Sequence, residues 1–153
     1  MGDVVKINYD GAIFSEEGRA DLGVVCRNSE GVVIASLAEQ IPLPATITQV
    51  EALAARRAAF FAVDIGISTA VLEGDSAIVY RDLVNSVPSL APHGHIIQDV
   101  KLLASSFSCI RQGNGVAHAL ARWAINSPNQ NVWMDNMPPD ILNVALADIA
   151  SLV

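Results

Sequence analysis

The sequence predicts an α/β domain, a five-stranded mixed sheet with helices packed on it, and three observations carry that expectation. Strand-like runs follow one another at the start of the chain, VVKINYDGAIF, ADLGVVCRN and GVVIASLAEQI, separated by SEEGR and NSEG. The Gly and Ser residues of those separators are hairpin turn chemistry, so the runs form an antiparallel meander. Beyond them helix and strand patterns alternate, and a strand, helix, strand order implies a crossover onto a parallel neighbour. Finally, 153 residues, 52% hydrophobic and only 16% charged, give one domain with apolar material for a real core.

After IPLPAT, whose prolines end the third strand, TQVEALAARRAAFFAVDIG carries apolar residues at three- and four-residue spacings and stops at Gly66, as a long helix does. STAVLEG reads as a short buried strand, DSAIVYRDLVNS as a helix, SVPSLAPHGH as a polar, proline-containing loop and IIQDVKLLAS as another helix. SFSCIRQ is the fifth strand and NGVAHALARWAINS a further helix, which gives the order βββαβααβα. Residues 1–127 form the domain, and residues 128–153 a loop followed by an amphipathic helix. In that tail SPNQNVWMDNMPP has loop composition, while DILNVALADIASLV sets Ile141, Leu142, Ala145, Leu146, Ile149 and Leu152 on one side. Such a helix packs back on the domain or meets a protein partner.

A net charge of −7 argues against holding nucleic acid by bulk electrostatics, because that binding rests on Lys and Arg neutralising phosphates. Any phosphate-bearing partner must be met locally. Cys26 and Cys109 lie far apart without CxxC spacing, which reads as two buried thiols in a reducing compartment, the cytoplasm or nucleus. MGDVVKINYD lacks an apolar signal region, no run reaches membrane-spanning length, and Lys6 stands where N-myristoylation wants Ser or Thr.

Asp10 sits in the middle of the first strand, where a carboxylate costs several kcal/mol unless something pairs with it. Glu51 lies early in the first helix and Asp75 directly after the fourth strand. Each has a local alternative. Asp10-Gly11 could be a turn, or part of the strand with a glycine bulge. Glu51 could close a capping box with Thr48, although Thr46 is an equally good cap and leaves Glu51 free. Asp75 could cap the helix that follows. If the fourth strand pairs beside the first, however, all three acids approach one another, and their repulsion is relieved by a divalent cation such as Mg²⁺.

The order NYDGA, VEALAARRA, LEGDS, RQGNGVAHALARWA resembles the ribonuclease H fold family, and more closely the plant-type ribonuclease H-like domains of reverse-transcriptase-like, retroelement-derived proteins. The resemblance covers roughly residues 4–126. It implies a ribonuclease H-like fold and an endonuclease that hydrolyses the RNA strand of RNA/DNA hybrids with two Mg²⁺ or Mn²⁺ ions. By the same resemblance Asp10 bridges both ions, Glu51 holds the ion on the leaving side and Asp75 the ion that activates water. His118 falls where the family usually has its fourth Asp and is expected as a ligand, and Asn114, one helical turn before it, as a substrate contact. A core histidine and an N-cap are the local alternatives for these two.

Some features of better-known members are missing. The loop RQGNG carries no histidine, and residues 82–100 contain no Lys or Arg, so the resemblance implies weak substrate binding. A non-hydrolytic nucleic-acid-binding or protein-interaction module that keeps the fold is the second reading. His93 and His95 in the proline-containing loop are expected to be solvated rather than a metal pair, and Arg56 and Arg57 to be a solvated helix face able to brush a phosphate.

Overall fold

Three strands with runs of consecutive buried residues build the front of the chain. In the computed structural model, which describes residues 3–106, 109–112 and 130–134, β1 (Val5–Phe14), β2 (Arg19–Arg27) and β3 (Val33–Pro42) form the expected antiparallel meander. A single 3₁₀ turn at Ser15–Glu17 joins the first pair. In the second connection the Asn28 side chain accepts from the Glu30 and Val32 amides at 3.0 and 2.9 Å, an Asx-type turn. The register of β1 on β2 runs unbroken from Lys6↔Arg27 to Phe14↔Arg19, so neither a turn nor a bulge forms at Asp10-Gly11. The irregularity lies between Cys26 and Arg27, on the β2–β3 side.

α1 (Ile47–Asp64) lies over this sheet. Its buried residues are mostly alanines, Ala54, Ala55, Ala58 and Ala62 among them, and a helix lined with so short a side chain sits close to the strands beneath it while keeping high helix propensity. Gly11 answers from the sheet side, because a Cβ there would stand 2.5 Å from Val50 Cγ1. That contact explains why glycine occupies the middle of a strand without a bulge. At the other end the Gly66 amide donates to Val63 O and the Ile67 amide to Ala62 O, a Schellman stop with Gly66 at φ 80°.

From α1 the chain enters β4 (Ala70–Gly74), which pairs parallel with β1 from Val5↔Ala70 to Asn8↔Glu73. α2 (Ala77–Val84) and α3 (Gly94–Leu103) then lead to β5 (Cys109–Gln112), parallel to β4. All five expected strands are present. A sixth, β6 (Gln130–Met134), pairs antiparallel with β3 from Glu39↔Gln130 to Ala35↔Met134, within the segment whose composition reads as loop. The edge of β3 supplies hydrogen-bond partners that local composition does not register, and such tertiary pairing overrides weak strand propensity. The sheet order is β5-β4-β1-β2-β3-β6, with β1 and β2 at its centre. The helices expected over residues 114–127 and 140–153 lie outside the described residues, and among those described no helix is long and apolar enough to cross a membrane.

A methyl group on Gly66 would meet no atom within 4 Å, yet the backbone there is left-handed, so the role of this glycine is conformational alone. We expect Gly66→Ala to lower stability by about 1 kcal/mol, the left-handed strain of an L-residue less the reduced freedom of the unfolded chain. Urea unfolding checks this, and an unchanged midpoint would mean that α1 does not need this stop.

Candidate metal centre

The parallel pairing of β4 with β1 decides where the acids meet. It ends at Asn8↔Glu73, so Asp10, two residues further along β1, lies just past the carboxyl end of β4, where Asp75 begins the next connection. The first turns of α1 bring in Glu51 from above. One ligand atom from each of Asp10, Glu51 and Asp75 lies within 4.8 Å of the others. Asp10 is buried, Glu51 half-buried and Asp75 exposed, a gradient that opens the cluster to solvent on the Asp75 side.

The local alternatives for these acids resolve in favour of the cluster. Thr46, not Thr48, caps α1: its hydroxyl accepts from the Gln49 amide at 3.1 Å, and the Gln49 side chain accepts from the Thr46 amide at 3.1 Å. Gln49 thus fills the capping role and Glu51 points elsewhere. Ser76, not Asp75, caps α2, accepting from the Val79 amide at 3.3 Å. Asp75 is released from capping in the same way.

Inside the cluster the Gly11 amide donates to Asp10 Oδ1 at 2.9 Å and also to Glu51, and a side-chain hydrogen bond joins Glu51 to Asp10. Two carboxyl groups can share such a bond only with a proton between them. Accordingly, burial first, then the charges of Asp10 and Asp75, raise the Glu51 carboxyl to about 9. Its Oε2 is buried with no hydrogen-bond partner among the described residues. Crowded oxygens, one of them unsatisfied, make a donor set that fits a hard divalent cation.

Behind the cluster stands Tyr9, which the sequence reads only as strand core. It is fully buried, and its ring lies so close to Gly74 that any side chain at that position would overlap it. Burial, followed by the charges of Glu51, Asp75 and Asp10, raises its phenol well above the ordinary range. The signal available in the sequence is the aromatic residue directly before Asp10, paired with the glycine directly before Asp75.

Other sequence-derived candidates fall differently. Asn114 and His118 lie outside the described residues. Arg56 and Arg57 are not a free solvated face: Arg56 donates to Asp99 at 3.0 Å and Arg57 to Glu39 at 2.9 Å, acids brought alongside by α3 and β3. His93 is buried rather than solvated, its Nε2 2.6 Å from Asp82 Oδ2, because the loop folds back on α2; His95 is exposed. This pairing holds the Asp82 carboxyl below its usual range, with the Arg81 charge and hydrogen bond adding to it against a burial effect of opposite sign. Asp21, not singled out by sequence, is fully buried 3.5 Å from Arg19 Nε and raised to about 6, burial outweighing Arg19. Cys26 is a buried free thiol, pushed up to about 12 by burial.

Comparison with known proteins agrees with this architecture. The pattern of the reverse transcriptase-like family matches residues 8–124, and the chain belongs to that family. No curated protein matches the chain. Among solved structures it is similar to ribonuclease H1 of the halophilic archaeon Halobacterium salinarum, at 26% identity and TM-score 0.69, over 80% of this chain and 97% of that one. It is also similar to the N-terminal ribonuclease H domain of a Mycobacterium tuberculosis protein, solved fused to maltose-binding protein, at 23% identity and TM-score 0.64, over 78% and 93%. A ribonuclease H1 from compost, solved with an RNA/DNA hybrid, matches at 18% identity and TM-score 0.68, over 80% and 96%. The fold is ribonuclease H-like.

The raised Glu51 carboxyl gives a signed expectation for the metal-free protein. Its folded value of about 9 exceeds the ordinary 4.5, so the stability it contributes is full below pH 4.5 and is lost as pH rises toward 9. In chelator, therefore, thermal stability should fall between pH 5 and pH 9 more steeply in the wild type than in Glu51→Gln. Parallel melting curves across that range check it; identical slopes would show that Glu51 is not crowded by Asp10 and Asp75.

Proposed function

We propose that this domain is a divalent-metal-dependent endonuclease that hydrolyses the RNA strand of RNA/DNA hybrids. The observation that carries the proposal is the approach of Asp10, Glu51 and Asp75 to within 4.8 Å of one another, all three within the residues that the family pattern matches. Membership of the reverse transcriptase-like family and the likeness to the Halobacterium salinarum ribonuclease H1 support the substrate class.

On this reading Asp10, Glu51, Asp75 and His118 are the groups that hold two Mg²⁺ or Mn²⁺ ions, and Asn114 contacts the substrate. When bound, such a pair stabilises the entering and departing oxygens of an in-line displacement at phosphorus, so the chain needs no nucleophile of its own. The chain's own residues prepare the site. The Gly11 amide fixes the Asp10 carboxylate, the Thr46–Gln49 capping box holds the first turn of α1 and with it Glu51, and Ser76 relieves Asp75 of capping. Discrimination against DNA falls to contacts with the 2′-hydroxyl.

A second reading, a binding or interaction module without turnover, is favoured by one set of observations. Among the described residues Lys6, Arg56 and Arg57 are each in an ion pair with a carboxylate, and the chain carries a net charge of −7, both of which work against a grip on phosphates.

Purified protein incubated with labelled RNA/DNA hybrid, duplex RNA, duplex DNA and single strands, with Mg²⁺ or Mn²⁺ and with chelator, separates the two. We expect metal-dependent cutting of the RNA strand of the hybrid alone, abolished in folded Asp10→Asn and Asp75→Asn. Equal cutting of duplex DNA would overturn the substrate assignment, and binding without cutting under every metal condition would establish the second reading.

His118 supplies a neutral ligand where a fourth carboxylate would supply charge, so the dications are held by one negative charge fewer. The Mg²⁺ concentration for half-maximal cleavage should accordingly fall several-fold in His118→Asp. An unchanged requirement would remove His118 from the ligand set.

A further inference from the structure

Tyr9 poses a question that packing does not answer. Its side chain is fully buried, and its hydroxyl finds no hydrogen-bond partner among the described residues. A phenylalanine would fill the same space without burying an unsatisfied donor, which is a costly thing to keep. The ring is pinned in place, since Gly74 leaves room for it that no other residue would leave. The Glu51 Oε2 atom is likewise buried and without a partner among the described residues, so a donor and an acceptor stand unpaired in the same neighbourhood. The phenol oxygen lies against Gly74, the residue directly before Asp75, and Asp75 and Glu51 each offer a carboxylate oxygen within 4.8 Å of the other.

We infer that Tyr9 is a positioning residue of the acidic cluster, its phenolic O–H donating to Glu51 Oε2 directly or through one buried water when the cluster holds a cation. The inference rests on the metal-site reading above. A cation takes one oxygen of a carboxylate and leaves the other in need of a donor, and outer hydrogen bonds of this kind fix the ligand's orientation. Neither Asp10 nor Asp75 can serve Glu51 in that way, because ionised carboxylates only accept.

The test compares wild type, Tyr9→Phe and Asp10→Asn, all as the full chain. Mn²⁺ affinity is measured by titration calorimetry, and thermal stability in chelator. We expect Tyr9→Phe to melt at or above the wild-type temperature in chelator, where it loses a hydroxyl without a partner among the described residues, yet to bind Mn²⁺ about ten-fold more weakly. A purely structural Tyr9 would give the opposite split, lower stability with unchanged affinity, and that result overturns the inference while leaving the site intact. If wild type and Asp10→Asn both fail to bind Mn²⁺, the metal-site reading falls and the inference with it. A measurement on unsubstituted Tyr9 guards against misfolding of the variant. With tyrosine labelled at Cζ and Tyr80→Phe used for assignment, the Tyr9 resonance should move on adding Mg²⁺, and a stationary resonance that accompanies Mg²⁺ binding overturns the inference.

Discussion

The pairing of β4 alongside β1 is the interaction on which the rest of the structure depends. Because it is parallel, it requires a crossover, which α1 supplies. Because it stops at Asn8↔Glu73, it leaves the next residues of β1 beside the point where the chain leaves β4, and Asp10 and Asp75 become neighbours. The same crossover helix lies across β1 and delivers Glu51. Sheet order, helix placement and the acid cluster are thus one geometrical fact seen at three scales.

Two glycines make that fact possible at short range, each by leaving out a side chain. Gly11 lets Val50 and Glu51 of α1 come down on β1, and Gly74 lets the Tyr9 ring lie across the end of β4. A buried carboxylate at Asp10 is costly wherever it is placed, and the surroundings here limit the cost with an amide donor and a shared proton. The crowding that burdens the fold is what makes the oxygens a good cage for a cation. On the proposed metal-centre reading, stability and cation binding are coupled through the same three side chains.

Much of this is legible in the sequence, for physical reasons. The turn residues between the first three strands and the helical spacing of α1 are readable, and the strand, helix, strand order asks for a parallel neighbour to β4; once that neighbour is β1, the meeting of Asp10, Glu51 and Asp75 follows from topology. What escapes are features set by partners distant in sequence. β6 exists because β3 offers an edge, and nothing in QNVWM announces that edge. His93 has the look of a loop histidine until the fold places Asp82 against it, and Arg56 and Arg57 look free until β3 and α3 supply Glu39 and Asp99. Tyr9 reads as an apolar strand residue because burial is visible in a pattern and an orphaned hydroxyl is not.

The sheet order also carries a consequence for how the protein is made. Its four central strands, β4-β1-β2-β3, all come from the first 74 residues, while both flanking strands, β5 on one side and β6 on the other, come from residues 109–134. As the chain leaves the ribosome, the middle of the sheet is complete while both of its borders still present unpaired amides and carbonyls. Such borders are templates for strands of other chains, and synthesis at several residues per second keeps them bare for seconds. Until Met134 emerges, the nascent domain is open to strand pairing with its neighbours on a polysome, a window in which a chaperone that shields strand edges would matter more than one that shields apolar surface.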